Sequence, residues 1–208
     1  MVGIPVINTG PDAGRKDHTG PKDAGSMTVD EFYVFTDTRP DEEKWELIEG
    51  KPVLNAAPSP LHQGIVMNVA FTLMARQREI KAPWKVLPDL GVGVSEKNRP
   101  QPDILVFPCE YQRPDWRRDR DDVIILFEVL SPSTEDRDLG WKRKAYASLA
   151  SLTHYIVISQ DAVEVMVFAR DDDFKGRRIT SLDEAIELPS LGVSLPMAEI
   201  YRDTGLPA

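Results

Sequence analysis

The chain has 208 residues, of which 41% are hydrophobic and 28% charged, ordinary proportions for a soluble globular fold with room for one sizeable core. Its formal net charge of -9 argues against broad electrostatic adhesion to nucleic acid, although it leaves room for a local basic cleft. Cys109 is the only cysteine, beside His18, His62 and His154. An intramolecular disulfide and a Cys/His zinc cluster are therefore excluded, and a reducing cytoplasm is the expected compartment. Any metal would be a hard ion held mainly by carboxylates, magnesium or manganese. No stretch approaches the roughly 18 apolar residues of a membrane span, and no basic region followed by an apolar core marks a secretory signal.

Residues 1–26 are rich in Gly, Pro, Asp and Lys and read as a flexible N-terminal tail, with 27–208 as a single domain. Thr28 followed by Glu31 resembles a capping box that opens a short helix through Phe32. Trp45 to Ile48 and Pro52 to Leu54 read as two strands around a glycine turn. Ser59 before Pro60 supplies an N-cap and a proline at the first helical position. The helix it opens runs from about Leu61 to Glu79, with Leu61, Ile65, Val69 and Leu73 on its core face. Lys85 to Val94 reads as a strand with a turn or bulge at Gly91 and Gly93.

Two apolar runs follow, Ile104 to Phe107 and Val123 to Leu130. Runs of this kind without polar alternation are typical of strands buried on both faces. Between them Arg113, Arg117, Arg118 and Arg120 are interleaved with Asp115, Asp119, Asp121 and Asp122, which suits either a solvated mixed-charge surface or part of a basic cleft. Helix formers extend from about Glu135 to Ala150. His154 to Ile158 and the alternating Val163, Val165 and Val167 form an expected hairpin. Residues 186–200 read as a short strand, a Pro-Ser turn and an apolar anchor. The sum is a mixed β-sheet flanked by helices, an α/β sandwich.

Three charges stand where aliphatics are usual. Asp103 opens the first apolar run, Glu128 interrupts the second, and Lys142 falls within the helical stripe of Leu139, Ala145, Tyr146 and Leu149. A buried carboxylate is costly unless a metal, a cation or a cleft receives it. Either acid alone is also explained by a strand end reaching solvent or by one buried pair, and Lys142 by a surface pair with Asp138. Together, two carboxylates and a lysine suit a metal-dependent phosphodiesterase. Glu46 is a further candidate acid. His62, near the start of its helix, could bond substrate or orient Glu46. Ser131 and Ser133 read as helix caps.

Pro102-Asp103, the block Glu128 to Thr134, and Asp138-Leu139-Gly140-Trp141-Lys142 with Tyr146 resemble the Uma-type restriction endonuclease family of the PD-(D/E)XK nuclease superfamily. The blocks Trp45 to Gly50, His62 after Pro58-Ser59-Pro60, and Tyr155 to Val157 extend the likeness over most of the chain after Thr28. The resemblance implies an α/β, restriction-endonuclease-like core and a magnesium-dependent DNA endonuclease, manganese being the substitute ion. Asp103 and Glu128 would hold the metal, Lys142 would complete the catalytic set, and Glu46 and His62 would be accessory. A homodimer would suit paired cuts in a duplex. The superfamily lysine stands two residues after the second acid, where this chain has Leu130, and Thr153 replaces a glutamate usual before the last strand. Those departures keep open a catalytically inactive nuclease-like binding module.

Overall fold

The computed structural model describes residues 25–110, 118–131 and 134–207. The expected tail falls almost wholly on residues outside these, as do Arg113, Arg117 and Ser133. Helix α1, Val29–Thr36, starts at the capping box, where Glu31 N–H donates to the Thr28 hydroxyl at 3.3 Å and Thr28 N–H to the Glu31 carboxylate at 2.7 Å. Strands β1, Trp45–Ile48, and β2, Lys51–Leu54, pair as a hairpin over Glu49 and Gly50, both at positive φ. Ser59 caps α2, Pro60–Ile80, by accepting the His62 N–H. Ile65, Val69 and Leu73 of that helix are fully buried.

Beyond α2 come β3, Trp84–Pro88; β4, Gly91–Val92; β5, Ile104–Pro108; β6, Asp119–Arg120; and β7, Ile125–Val129. The chain then makes a π-helical turn, Arg137–Lys142, which continues as α3, Arg143–Ala147. The helix expected from Glu135 to Ala150 begins at Glu135 as expected but ends at Ala147, and carries the wider winding inside it. The remaining elements are β8, His154–Ile158; β9, Val165–Ala169; β10, Arg177–Ile179; β11, Ala185–Leu188; β12, Val193–Pro196; and α4, Met197–Ile200.

Six strands form the central sheet in the order β10-β9-β8-β7-β5-β3. Only β7 and β8 run parallel; they are the strands joined through the π turn and α3, while the other pairs are antiparallel. The two-residue period of a strand sorts the side chains into two cores. Ile104, Val106, Ile125, Phe127, Ile156 and Ile158 pack with α2, β11, β12 and α4. Leu105, Phe107, Leu126, Tyr155 and Val157 pack with Tyr146, Leu149 and Leu152. Glu128 has the parity of Leu126, so it lies on the face covered by the π turn and α3. One step beyond the Ile104–Phe127 pair, the antiparallel register sets Asp103 opposite Glu128.

The mixed-charge run behaves differently at its two ends. Arg118 is exposed and pairs with Asp37, whereas Arg120 is buried, pairs with Asp122 and lies over the Phe107 ring. Asp119 is buried as well and accepts the Tyr33 hydroxyl at 2.8 Å. A solvated surface therefore describes only part of that run.

Candidate active site

Lys142 is the centre of the site. The π turn aims it at the sheet with 2% of its surface exposed, and its ammonium meets Glu128 Oε1 at 2.8 Å, Glu46 Oε1 at 2.9 Å and Asp138 Oδ1 at 3.2 Å. The ammonium donates to Glu128 Oε1 and meets Glu46 and Asp138 as ion pairs. The three acids are as deeply buried: Glu46 is 0%, Asp138 1% and Glu128 4% exposed. Single π turns often mark functional sites, where the wider winding re-aims side chains. Here it turns both Asp138 and Lys142 inward.

Glu46 reaches this cluster through a long-range link. The Leu47 and Arg99 backbones exchange hydrogen bonds at 2.8 and 3.1 Å, which brings β1 against the segment before Asp103. Gln101 N–H then donates to Glu46 Oε1 at 2.7 Å, and Arg137 lies 3.2 Å from Oε2. Burial pushes the Glu46 carboxyl up, but Lys142, Arg137 and the Gln101 amide more than offset it, and its pKa falls below the usual glutamate value.

Glu128 stands in a different field. Burial raises its pKa, Lys142 offsets this only in part, and Asp138, Asp103 and Glu46 raise it further, to well above the ordinary range. For Lys142, burial alone would lower the pKa, but Glu128, Glu46 and Asp138 carry it well above the usual lysine value, so the ammonium stays charged. Glu128 Oε1 also accepts the Tyr146 hydroxyl at 3.2 Å. Among the described residues, Oε2 accepts no hydrogen bond.

Asp103 is less enclosed. Its Oδ2 accepts Val129 N–H at 2.7 Å and lies 3.3 Å from His62 Nε2. His62 therefore faces Asp103, the partner it meets in place of the expected Glu46. Asp103, Glu128, Lys142, Asp138 and His62 line one cleft of about 260 Å³, whose walls also carry Lys44, Arg137, Ser59 and Gln101. Glu46 sits behind that wall. Among the described residues, no group of three or more His, Cys, Asp or Glu side chains is arranged to hold a metal unaided.

All five residues singled out from the sequence thus belong to one neighbourhood. Asp138 and Tyr146 take a larger part in it than the sequence reading allowed. Asp138 is a buried partner of Lys142, and Tyr146, read as core, directs its hydroxyl at Glu128. The signal that could have found them is the spacing of 138, 142 and 146, four residues apart on an inward face.

A family model described as "Uma2: Putative restriction endonuclease" matches residues 29–198. The chain belongs to this family. Among solved structures, the Uma2 chain is similar to a putative nuclease belonging to DUF820 from Anabaena variabilis, with a TM-score of 0.67 and 18% identity over 84% of this chain and 97% of that one. That likeness carries the fold, a restriction-endonuclease-like mixed sheet flanked by helices. An uncharacterised protein of Synechocystis sp., slr1290, is 29% identical over 116 residues, which are 55% of this chain and 53% of that protein. The matched region therefore spans about half of that relative's length. Among the described residues, no helix is long and apolar enough to cross a membrane.

Proposed function

We propose that this Uma2 protein is a metal-dependent endonuclease that hydrolyses phosphodiester bonds in DNA, with Asp103 and Glu128 as ligands of magnesium or manganese and Lys142 completing the catalytic set. The observation that carries this reading is the convergence of Asp103, Glu128 and Lys142 on one cleft, with one oxygen of each acid unclaimed by the described residues. The donor set suits such an ion. Magnesium is commonly held by one or two carboxylates, the rest of its shell coming from water and substrate phosphate. Charge points the same way: the carboxylates of Glu46, Asp103, Glu128 and Asp138 outnumber the two fixed cations Lys142 and Arg137 by two, the charge of one divalent ion.

When bound, the ion would polarise the scissile phosphate and lower the pKa of an attacking water. The remaining work belongs to side chains. Glu46 and Asp138 fix the Lys142 ammonium. Lys142 and the Tyr146 hydroxyl hold Glu128 Oε1, which leaves Oε2 toward the cleft. Lys44, paired with Asp89, and Arg137, paired with Glu46, lie on the cleft walls where exchange of those partners would let them meet neighbouring phosphates, and a homodimer would bring two clefts to a duplex.

A plasmid-nicking assay tests the reading. Wild type should cleave in magnesium or manganese and stop in EDTA, while Asp103→Asn and Glu128→Gln should each lose about 100-fold or more in rate, the scale of removing one electrostatic element of an active site. Wild type and Asp103→Asn equally inert on duplex and single-stranded DNA, with no manganese bound by either, would sink it. The same experiment addresses a second reading, a catalytically silent binding module, favoured by Lys142 being ion-paired with three buried carboxylates. That reading expects Glu128→Ala to bind its partner unchanged and to gain stability as an unfavourable buried acid disappears.

A further inference from the structure

Asp103 carries the reading above, yet its carboxylate projects from the start of β5, where among the described residues one backbone amide anchors it from the sheet. That donor, Val129 N–H, lies 2.7 Å from Oδ2. The second group on the same oxygen, His62 Nε2 at 3.3 Å, comes from α2. Among the described residues, Oδ1 takes no hydrogen bond.

His62 is itself firmly placed. Its backbone N–H donates to the Ser59 hydroxyl at 3.1 Å, and that hydroxyl donates to Gln160 Oε1 at 2.9 Å. The ring is 8% exposed. Its other nitrogen, Nδ1, is buried with no hydrogen-bond partner among the described residues. Nε2 is thus the ring nitrogen turned to the Asp103 carboxylate, 3.3 Å from Oδ2, while Nδ1 faces no partner among the described residues.

We infer that His62 is a positioning residue, which joins the Val129 amide on Oδ2 of Asp103 and so presents Oδ1 to a divalent cation. The inference rests on the proposal that Asp103 is a metal ligand. One hydrogen bond leaves a carboxylate free to swing about its Cβ–Cγ bond; a ring from a second element packed 3.3 Å from the same oxygen restricts that swing. Outer partners of this kind typically contribute 10–100-fold to metal affinity. A ring nitrogen already committed to Asp103 is not itself a ligand of the metal.

The test is Mn2+ binding to the full chain, followed by calorimetry and by electron paramagnetic resonance, without nucleic acid. His62→Ala should bind about 10–100-fold more weakly than wild type. His62→Gln, whose amide nitrogen reaches the place of Nε2, should recover to within roughly threefold, and His62→Asn, one bond shorter, should bind as weakly as His62→Ala. The glutamine and asparagine pair decides the matter even where the alanine variant does not fold. Spin-echo spectra of the bound Mn2+ should show no directly coordinated nitrogen. Wild-type affinity in His62→Ala or His62→Asn, no recovery in His62→Gln, or a coordinated nitrogen would each overturn the inference. Asp103→Asn separates the two levels: loss of Mn2+ there with none in the His62 variants removes only the positioning role, whereas undiminished binding removes the ligand role of Asp103 and the inference with it.

Discussion

Replacing Lys142 by methionine keeps the length of the side chain and deletes its charge, which isolates the central electrostatic claim. Its ammonium lies 2.8, 2.9 and 3.2 Å from three carboxylate oxygens, each attraction being about 5–6 kcal/mol at an effective dielectric of ~20. Desolvation of the ammonium and of the acids cancels most of that, and removal of one partner from a buried ion pair costs about 3–5 kcal/mol net. With three acids left facing one another, the upper end of that range applies. At a urea slope of about 2 kcal/mol per molar, the unfolding midpoint near neutral pH should fall by about 2.5 M. The deficit should depend on pH. The Glu128 carboxyl is held well above its ordinary pKa in the folded state, so between that raised value and the unfolded one the folded chain binds more protons. Stability from this group therefore rises as pH falls through the raised value. Lys142 lowers the pKa of each of the three acids, so its loss raises all three, and acidification to roughly pH 5 should narrow the gap between Lys142→Met and wild type. A midpoint within about 0.5 M of wild type, unchanged between the two pH values, would refute the view of Lys142 as the cation that makes this cluster tolerable.

Three smaller perturbations test neighbouring parts of the structure. Tyr146→Phe removes the hydroxyl that donates to Glu128 Oε1 and should cost about 1.5–3 kcal/mol in urea unfolding, the scale of a hydrogen bond to a charged group. A methyl at Gly91 would overlap the buried Arg99 guanidinium, so Gly91→Ala should destabilise by about 1–3 kcal/mol through overpacking. Because the Arg99 backbone also pairs with Leu47 beside Glu46, the same variant should lose nuclease rate. Thr28→Ala breaks the capping box of α1 and should cost about 1 kcal/mol with no change in rate, as measured by thermal melting beside the nicking assay.

Pattern and charge made much of this architecture legible. The four-residue recurrence of Ile65, Val69 and Leu73 and the Ser59-Pro60 start define α2, and the apolar runs at 104–107 and 123–130 mark the middle of the sheet. Glu128 and Lys142 were visible because each interrupts an apolar pattern, which only a specific partner makes tolerable. What stayed hidden depends on long-range docking. Nothing local tells that β1 crosses to Arg99 and sets Glu46 behind Lys142, or that the start of α2 carries His62 to Asp103. A surface pair with Asp138 is the bland alternative for Lys142, since an isolated i, i+4 acid–base pair usually is one; here both are buried at the π winding. At 118–122 the alternating signs looked solvent-facing, yet Asp119 and Arg120 are buried, a placement secured by the Tyr33 hydroxyl and the Phe107 ring that no neighbour in sequence announces.

The division of labour among the acids explains how a chain of net charge -9 could still host phosphodiester chemistry. Two of the four carboxylates spend their charge inside the protein: Glu46 on Lys142 and Arg137, and Asp138 on Lys142. A third, Glu128, gives one oxygen to Lys142 and Tyr146 and keeps the other, and Asp103 likewise gives one oxygen to Val129 and His62. The surplus negative charge is thereby confined to two oxygens at the ends of adjacent strands. A divalent cation there would neutralise the surplus and present its remaining positive field outward, toward a phosphate that the bare acids would repel. The acidic composition of the chain would then be no obstacle to a nucleic-acid substrate, because the charge met in the cleft would be set by such an ion and not by the sum over the surface.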